Sequence, residues 1–600
     1  MSDHHLSSRL ANLNPFTKGG GGGGGDDDDD QGDRIDNESI GGAGRHHARR
    51  TEEAKVELRV SHALRSFLLK ERLLSESEAA EEHSEALQRL LSRTSFDAPG
   101  ALLDRSHPLP EYFISSSHNT YLMAHQLYGS SSATAYETAI NTGSRCVEID
   151  AWDNGADEDE PKVTHGFTLV SHIPFRVVCE TIRNVLDREL AVAEEDGMPP
   201  VSPILLSLEN HCGEHGQRRL ASIMREVFGE RLLSESVREA GHREQESAGD
   251  HGEHVTLADL GPRVAVIVEY HIPGEADESD SSSSDEAEAE ADKGKDKDDD
   301  KEQAARKEYR DNKKEKAAVS SVIVPELAEL GVYAQSVKPS DNSWYDPGAL
   351  VNGPHHHLIN VSESGLSKHL PASASPIAKH NAHHLMRVYP KGTRIGSSNL
   401  KPVAFWGIGA QICALNWQSF GTSNQLNDAL FCGSEGFVLK PAALRAGGDG
   451  NLGTGRKKRL RLHVAGATDI PLHEDRGSDS IKPYLTCNLY SPCAMDGETN
   501  KRKTAAYKHH KLSMLHRGEN PPATDPIWDE TLEWVYEDNE LVFLRMLVKS
   551  DDAWARNPKF AVAAVRLSYV VPGWSFISML DMKGGETKCT LLVKFEVTDA

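Results

Sequence analysis

Short apolar runs alternate with helical patterns through the middle of this chain. Runs at 146–149, 204–208 and 264–268 are typical of buried strands. Segments 176–190 and 216–228 lie between those runs and carry apolar residues at helical spacing. The alternation predicts β/α units built around a parallel sheet.

The pattern is interrupted by an insert and then resumes. Residues 273–320 are rich in Ser, Asp, Glu and Lys and almost free of apolar residues, which predicts a disordered acidic linker. Apolar runs return at 358–361, 387–389 and 412–415, and end at 437–439. We therefore expect one (β/α)8 TIM-like barrel with two halves, 108–272 and 321–446.

Beyond a glycine-rich linker at 447–457 the pattern consists of strands without intervening helices. Such a series predicts a β-sandwich over 458–600, so the fold class is α/β plus all-β. The strands are expected at 460–464, 484–489, 531–534, 541–548 and 591–597.

The region before the barrel divides into a tail and a helical region. Residues 1–52 include glycines 19–25 followed by Asp26–Asp30, which predicts a disordered tail and not a phosphate loop, because no Gly-Lys-Ser/Thr follows. Residues 53–107 carry Val60, Leu64 and Phe67 at helical spacing. We expect a helical layer that packs on the catalytic body.

Composition narrows the function classes. The formal charge of −26 is concentrated in acidic runs, which argues against a nucleic-acid partner. The eight cysteines have no paired spacing, so free thiols in a reducing compartment are expected. The N-terminus lacks the apolar core of a signal peptide, and no apolar run approaches the ~18–20 residues that span a bilayer. We expect a soluble or peripherally membrane-attached protein.

Two carboxylates on one predicted strand are the first candidate site residues. Glu148 and Asp150 point the same way and should repel each other unless a cation lies between them. Asn119 and Glu209, near other strand ends, complete a set of oxygen ligands suited to a hard divalent ion. Taken alone, the Glu148–Asp150 pair favours salt bridges to helices. Zinc is disfavoured because the chain has no His-Glu-x-x-His spacing.

His118 and His165 are the candidate proton carriers near neutral pH. The chain has 29 histidines, and only these two lie beside the carboxylates in successive β/α units. The run 355–357 is interpreted as a loop.

Three motifs in the two barrel halves are highly specific. Ser-Ser-Ser-His-Asn-Thr-Tyr lies at 115–121, Ser-Leu-Glu-Asn-His-Cys at 207–212 and Tyr-Pro-Lys-Gly-x-Arg at 389–394. With these motifs, segment 108–230 resembles the X box of eukaryotic phosphoinositide-specific phospholipase C, segment 327–445 resembles its Y box, and the C-terminal region resembles its C2 domain, with a fungal-like, delta-type core. The resemblance implies that the helical region 53–107 is a remnant of the family's EF-hand lobe with a structural role only.

The resemblance implies calcium-dependent phosphoinositide hydrolysis in lipid signalling, through a cyclic inositol phosphate, with diacylglycerol as leaving group. It implies a monomeric cytoplasmic enzyme that acts at anionic membrane surfaces. The resemblance also implies a role for each candidate residue. Ca²⁺ would be bound by Asn119, Glu148, Asp150 and Glu209, and the substrate by Arg387, Tyr389, Asn360 and Ser362. Glu148 would act as general base, His118 would stabilise the phosphorus centre, and His165 would protonate the leaving oxygen.

Two departures from the family and one agreement with it bear on these expectations. The run 266–270 has Glu269 and no lysine where relatives hold ring phosphates, so a preference for the 4,5-bisphosphate is not implied. Lys482 stands where calcium-binding C2 domains have an aspartate, which argues against strong calcium binding by this domain. The basic clusters 456–459 and 501–503 could either contact an anionic membrane leaflet or lie on a solvated face. The acidic linker lies where the family carries an autoinhibitory segment.

Two alternative functions share part of this pattern: a lipid-binding scaffold and another barrel phosphodiesterase. A catalytically silent, lipid-binding scaffold should have lost a histidine or a metal ligand, and this chain retains them. A glycerophosphodiester-cleaving barrel would need neither Tyr389 nor a C2 domain.

Overall fold

The structure is a computed structural model. It describes residues 58–123, 131–165, 171–197, 201–237, 255–270, 323–337, 342–346, 350, 356–391, 394, 398–473, 476–493, 500–510, 519–551 and 558–600. The predicted tail 1–52 and acidic linker 273–320 lie outside these residues. Across the described ranges, no helix combines the length and apolar character needed to cross a membrane.

The secondary structure follows the predicted alternation. The strands are β1 (Tyr112–Ile114), β2 (Cys146–Trp152), β3 (Lys162–Val163), β4 (Ile173–Pro174), β5 (Ile204–His211), β6 (Val264–Tyr270), β7 (Gln335–Val337), β8 (His357–Ser362), β9 (Leu385–Tyr389), β10 (Ile412–Cys413), β11 (Phe437–Leu439), β12 (Lys457–Thr468), β13 (Pro483–Tyr490), β14 (Lys501–Lys503), β15 (Ile527–Glu537), β16 (Phe543–Ser550), β17 (Lys559–Arg566), β18 (Gly573–Leu580) and β19 (Glu586–Asp599). The helices are α1 (His62–Lys70), α2 (Glu76–Ala80), α3 (Glu85–Leu91), α4 (Thr134–Asn141), α5 (Phe175–Glu195), α6 (Glu214–Phe228), α7 (Leu257–Leu260), α8 (Pro325–Ala328), α9 (Glu363–Ser367), α10 (Ala374–Asn381), α11 (Pro402–Trp406) and α12 (Thr422–Leu430).

The chain divides into two compact units. One comprises Gly100–Ser419 and Ser434–Asn451, and the other comprises 58–99, Phe420–Gly433 and Leu452–Ala600. Helix α12 thus belongs to the second unit, where the guanidinium of buried Arg545 donates through Nε to Gln425 Oε1 at 2.6 Å.

The first unit is the predicted (β/α)8 barrel. Strands β2, β5, β6, β7, β8, β9, β10 and β1 pair in that order, all parallel. A parallel bridge between Ser116 and Cys146 closes the ring. Alternate residues point inward, and the row Cys146, Leu205, Ala265 and Leu358 forms part of the apolar core.

Three short strands extend the sheet without joining the ring. β3 pairs antiparallel with β2, and β4 pairs antiparallel with β3. β11, the last run of the expected alternating pattern, pairs antiparallel with β1 and is not a barrel strand. Three apolar residues contain no signal for strand direction, which depends on the path of the preceding chain.

The second unit contains the predicted C2 β-sandwich. Its strands pair antiparallel in the order β14-β13-β16-β17-β18-β19-β12-β15. Inward residues of these strands, such as Leu462, Leu485, Met546 and Leu591, form one apolar core. Sandwich strands that alternate inward and outward residues account for the regular spacing of apolar runs in the sequence.

Helices α1–α3 pack on the sandwich and not, as we expected, on the catalytic body. Ser61, Ser75 and Ser84 cap the three helices. Their apolar stripe meets Phe576 and Leu592, and the Phe67 ring lies edge-on to Trp574 at 5.2 Å between centroids. The helical pattern shows that one face must be buried, but it does not show which surface covers that face.

The predicted free thiols are confirmed. All eight cysteines are unpaired, and all except Cys493 are buried. Burial raises the pKa of thiols such as Cys146 and Cys487, so they remain protonated at neutral pH.

Candidate active site

Three carboxylates converge at the carboxyl ends of β2 and β5. Glu148 and Asp150 follow Cys146 at a spacing of two, so they continue the inward-facing row of β2 above the apolar core. The register pairs Asp150 with Glu209 of β5. Ligand atoms of Glu148, Asp150 and Glu209 all lie within 4.8 Å of one another. The carboxyl ends of barrel strands are where this fold builds active sites.

The segment after β1 brings Asn119 to the same place. Asn119 has a positive φ of 45°, and this turn directs its backbone N–H to Glu148 Oε2 at 2.6 Å. The Tyr121 hydroxyl donates to Asp150 Oδ2 at 2.6 Å and lies 3.2 Å from Asn119 Oδ1. The structure therefore groups Asn119 with Glu148, Asp150 and Glu209.

His118 lies between Asn416 and Glu148. Its Nδ1 is 3.0 Å from Asn416 Oδ1, which can only accept, so Nδ1 carries a proton. Nε2 then faces Glu148 Oε2 at 4.0 Å. Burial lowers the pKa of His118 although Glu148 opposes that effect, so the imidazole is neutral at pH 7 with an accepting Nε2.

Arg387 is almost fully buried and pairs with Glu148. Its Nη2 lies 2.5 Å from Glu148 Oε1, and its Nη1 donates to Asn360 Oδ1 at 3.1 Å. Glu209 Oε1 is 3.9 Å from Nη1. Burial favours neutral Glu148, but the charge of Arg387, with the hydrogen bond from the Asn119 N–H, outweighs that effect and holds the pKa of this carboxyl well below its usual range.

The other two carboxyls shift in the opposite direction. Burial, reinforced by the negative charge of Glu148, raises the pKa of Asp150 and of Glu209. The three groups therefore resist holding three negative charges together unless a further cation is bound.

The residues present fit a hard divalent cation. Asp150 Oδ1 is buried and has no hydrogen-bond partner. Carboxylate oxygens and the Asn119 amide oxygen are the ligand types that such a cation prefers. Among the described residues, this trio is the sole group of His, Cys, Asp and Glu side chains with metal-binding spacing.

His165 is near the site, but it does not belong to a barrel strand. It follows β3, the antiparallel partner of β2, and is half-buried. The Thr164 N–H donates to the Asp150 carbonyl at 3.3 Å, which fixes the chain one residue before His165 beside a ligand residue. We expected His165 in a successive β/α unit, whereas a short hairpin carries it.

The three other proposed substrate-binding residues differ in their contacts. The Tyr389 ring lies 5.7 Å from the guanidinium carbon of Arg387. Asn360 accepts from Arg387, as described above. Ser362 caps α9, where its Oγ accepts from the Gly365 N–H at 3.1 Å. In this structure Ser362 thus has a helix-capping contact.

Sequence reasoning missed two residues that hold the site together. Asn416 follows β10 and orients His118, and nothing local distinguishes it from other asparagines. Tyr121 ties Asn119 to Asp150, and its place two residues after Asn119 in the 115–121 motif was the available signal. The run 355–357 was interpreted as a loop, yet His357 begins β8 and is buried.

Comparison with known proteins identifies the family. Residues 105–269 match the phosphatidylinositol-specific phospholipase C X domain, and residues 327–443 match the Y domain of the same family. The chain belongs to the phosphatidylinositol-specific phospholipase C family. The two matched segments carry all ten proposed site residues.

Curated relatives of this family resemble the chain over most of its length. The 1-phosphatidylinositol 4,5-bisphosphate phosphodiesterase delta-3 of Mus musculus is 31% identical over 506 residues, covering 83% of this chain and 58% of the relative. The 1-phosphatidylinositol 4,5-bisphosphate phosphodiesterase of Dictyostelium discoideum is 29% identical, covering 79% of this chain and 57% of the relative. The chain therefore spans a little under three-fifths of the length of these relatives.

Solved structures agree with the fold. The crystal structure of L. pealei PLC21 matches with a TM-score of 0.65 and 20% identity, covering 100% of this chain and 69% of that chain. The crystal structure of S. officinalis PLC21 matches with a TM-score of 0.64 and 23% identity, covering 86% and 60%.

Proposed function

We propose that this chain hydrolyses phosphoinositides to diacylglycerol and inositol phosphates through a cyclic inositol phosphate, with Ca²⁺ as cofactor. The observation that carries the proposal is the convergence of Glu148, Asp150, Glu209 and Asn119 beside His118 at the barrel's carboxyl ends. The curated relatives named above are phosphatidylinositol 4,5-bisphosphate phosphodiesterases, which supports the same reaction class.

Ca²⁺ bound by Asn119, Glu148, Asp150 and Glu209 would supply Lewis-acid stabilisation of charge on the inositol hydroxyl and the phosphoryl oxygens. Glu148 is the proposed base for the attacking hydroxyl proton. His118 is the proposed partner of the phosphoryl group: Asn416 holds its Nδ1 proton, and a proton on Nε2 would make the ring a donor to a phosphoryl oxygen. His165 is proposed to protonate the leaving glycerol oxygen.

Arg387 and Tyr389 are the proposed contacts for the inositol headgroup. Arg387 has its positive charge partly satisfied by Glu148, which leaves Nη1, shared with Asn360, for a ring phosphate. Glu269 stands in the exposed, carboxyl-terminal part of β6 and follows Ile267 on the inward-facing row. A carboxylate there disfavours additional ring phosphates, so we propose that phosphatidylinositol and its monophosphate are cleaved at least as well as the bisphosphate.

The proposed place of action is the cytoplasmic face of a membrane, reached from solution by a monomer. The run 456–459 contributes little positive field to that docking, because carboxylates pair with three of its members. Arg456 pairs with Asp538 at 3.4 Å, Lys458 with Asp599 at 3.0 Å, and Arg459 with Glu533 at 2.5 Å. These pairs favour the solvated-face interpretation of that run.

The catalytically silent scaffold remains the alternative, and no observation favours it. A scaffold has no need for a neutral His118 with an oriented tautomer, nor for the buried carboxyls of Glu148 and Asp150 with opposed pKa shifts. Such shifts cluster at sites that perform chemistry.

The deciding experiment is hydrolysis of headgroup-labelled phosphatidylinositol, its 4-phosphate and its 4,5-bisphosphate in mixed vesicles, with buffered Ca²⁺ or chelator. His118→Ala is compared with His215→Ala, which removes a surface histidine paired with Asp159. We expect Ca²⁺-dependent release that His118→Ala abolishes and His215→Ala preserves. Absence of release from all three lipids with the unmodified chain would move the assignment to the scaffold.

A further inference from the structure

Two loops at one end of the sandwich bring a pair of aspartates together. Asp469 follows β12 with a positive φ of 54°, and Asp525 lies two residues before β15. The Asp469 N–H donates to Asp525 Oδ1 at 2.8 Å, and the Ile470 N–H donates to the Thr524 carbonyl at 3.0 Å. Asp525 is 5% exposed, so its charge is held largely away from water.

A single guanidinium contacts all four carboxylate oxygens of this pair. Arg59 Nη2 lies 2.7 Å from Asp469 Oδ1, 3.0 Å from Asp525 Oδ1 and 2.9 Å from Asp525 Oδ2. Arg59 Nε lies 3.2 Å from Asp469 Oδ2. The hydrogen bond to Asp469, together with the charge of Asp525, raises the pKa of Arg59 further, so the cation is permanent.

The backbone around Arg59 is fixed to the same strand end. The Ser61 N–H donates to Thr468 Oγ1 at 3.2 Å, and the Ser61 hydroxyl accepts from the Leu64 N–H to cap α1. Thr468 is fully buried, and Val60 belongs to the apolar cluster between helices α1–α3 and the sandwich. The backbone that directly follows Arg59 is therefore anchored both to the end of β12 and to the start of α1.

Electrostatics indicates what this arginine does. Two carboxylates that share one guanidinium repel each other, and a cation between them offsets that repulsion. Oxygens from two loops are also the kind of ligand set that a hard divalent ion takes. Here the N–H groups of the Arg59 guanidinium already donate hydrogen bonds to those oxygens. A planar guanidinium binds carboxylates with a directional geometry that a spherical cation does not have.

We propose that Arg59 is the built-in cation of this aspartate pair, so that this end of the C2 sandwich is closed to Ca²⁺ and is ordered without it. Arg59 also fastens the segment before α1 to the sandwich. The inference is independent of the catalytic proposal, because every residue in it belongs to the second compact unit.

The test is hydrogen exchange of the full chain, read by mass spectrometry in peptides covering 465–472 and 520–527, in 1 mM Ca²⁺ or chelator. Because both peptides come from the sandwich, their exchange distinguishes Ca²⁺ binding at this end of the sandwich from Ca²⁺ binding in the barrel. In the unmodified chain we expect no response to Ca²⁺ in either peptide. In Arg59→Gln we expect exchange about tenfold faster in chelator, equivalent to ~1.4 kcal/mol of local opening, and slower exchange when Ca²⁺ is added.

Two further variants complete the design. Arg59→Gln combined with Asp525→Asn removes the repulsion along with the cation, so its exchange should return toward the unmodified rate without a Ca²⁺ response. Lys70→Gln breaks an exposed pair with Asp529 on the same unit and should leave both peptides unchanged. A Ca²⁺ response in the unmodified chain, or none in Arg59→Gln, overturns the proposal.

Discussion

Asn416 controls the protonation pattern of His118. Its Oδ1 accepts from Nδ1–H, and its own amide donates to the Ser398 carbonyl at 3.0 Å, which fixes which end of the amide faces the imidazole. The tautomer of His118 thus depends on a residue almost 300 positions away in sequence. In the proposed reaction Asn416 is a positioning residue, since it would act through His118.

Replacing Asn416 by Ala should lower kcat by about tenfold to a hundredfold, the range for lost supporting hydrogen bonds around functional side chains. KM should change little, because substrate contacts are retained. The pH profile of kcat should shift as well, because Nδ1 loses its acceptor. Asn416→Asp keeps an accepting oxygen and should retain more activity than Asn416→Ala; equal activity of all three proteins would contradict this role.

The buried pair Arg387–Glu148 carries a second prediction at the scale of residues. Arg387→Leu leaves Glu148 uncompensated beside Asp150 and Glu209, so we expect the barrel to lose about 3–5 kcal/mol of stability at pH 7. The slowest-exchanging amides of β2 and β9 report this loss. Arg387→Leu combined with Glu148→Leu removes both charges and should cost less than Arg387→Leu alone; a larger cost would show that the pair is not the cause.

At the scale of elements, β8, α10 and the chain before β9 bring three histidines into one buried cluster. His357 Nε2 lies 2.9 Å from His380 Nε2, and the His357 ring stacks on His384 at 3.7 Å between centroids. His356, His383 and Lys440 add positive or titratable groups nearby, and the Asn381 amide oxygen contacts His380 Nδ1. Besides burial, the groups that lower the pKa of His384 are the four other histidines His357, His380, His383 and His356.

This cluster predicts acid sensitivity of the barrel. Burial lowers the pKa of His380 to about 3 and that of His384 further still. The unfolded chain takes up these protons below a pKa of about 6.5 and the folded chain does not, so stability is full above that pH and falls as pH drops through it. Between pH 7.5 and 5.5 each histidine should cost ~1.4 kcal/mol.

Hydrogen exchange of the β8 amides, corrected for intrinsic exchange rates, measures how steeply the stability of the barrel falls with pH. His380→Gln should flatten the slope relative to the unmodified chain, because the substituted side chain does not titrate. His215→Gln, at an exposed position, should leave the slope unchanged. If the slope were the same in His380→Gln, the cluster would not be its source.

At the scale of the whole molecule, the two barrel halves meet in one ring although the acidic linker separates them in sequence. β6 of the first half pairs in parallel with β7 of the second half, so the site draws Glu148 from one half and Arg387 from the other. The charged linker lies outside the described residues. Its charge should be repelled by anionic membrane, and we propose that it covers the site until the protein docks.

Deleting residues 275–318 should therefore raise hydrolysis of phosphoinositide in weakly anionic vesicles by about fivefold or more, the lower range of coupling between sites. Replacing residues 275–318 by a neutral Gly/Ser segment of equal length should raise hydrolysis as much as the deletion does, if the charge of the linker causes the inhibition. Unchanged or lower activity after deletion contradicts the autoinhibitory role.

The sequence by itself determined the fold class, and it predicted the residues of the candidate site. Strand and helix periodicity predicted the barrel and the sandwich, and the spacing of Glu148 and Asp150 predicted a shared face, because side-chain direction along a strand follows from local geometry. The structure confirms both folds, and it groups Asn119, Glu148, Asp150 and Glu209 as the ligand hypothesis required.

The tertiary structure decided which distant residues meet. Several contacts join residues that are far apart in sequence. Asn416 contacts His118 across 298 positions, and Arg387 contacts Glu148 across 239. Arg59 contacts the two loop aspartates across more than 400 positions. The packing of α1–α3 and the antiparallel direction of β11 were likewise decided by three-dimensional packing. Local patterns show that a face or a charge needs a partner, whereas the partner's identity depends on the path of the whole chain.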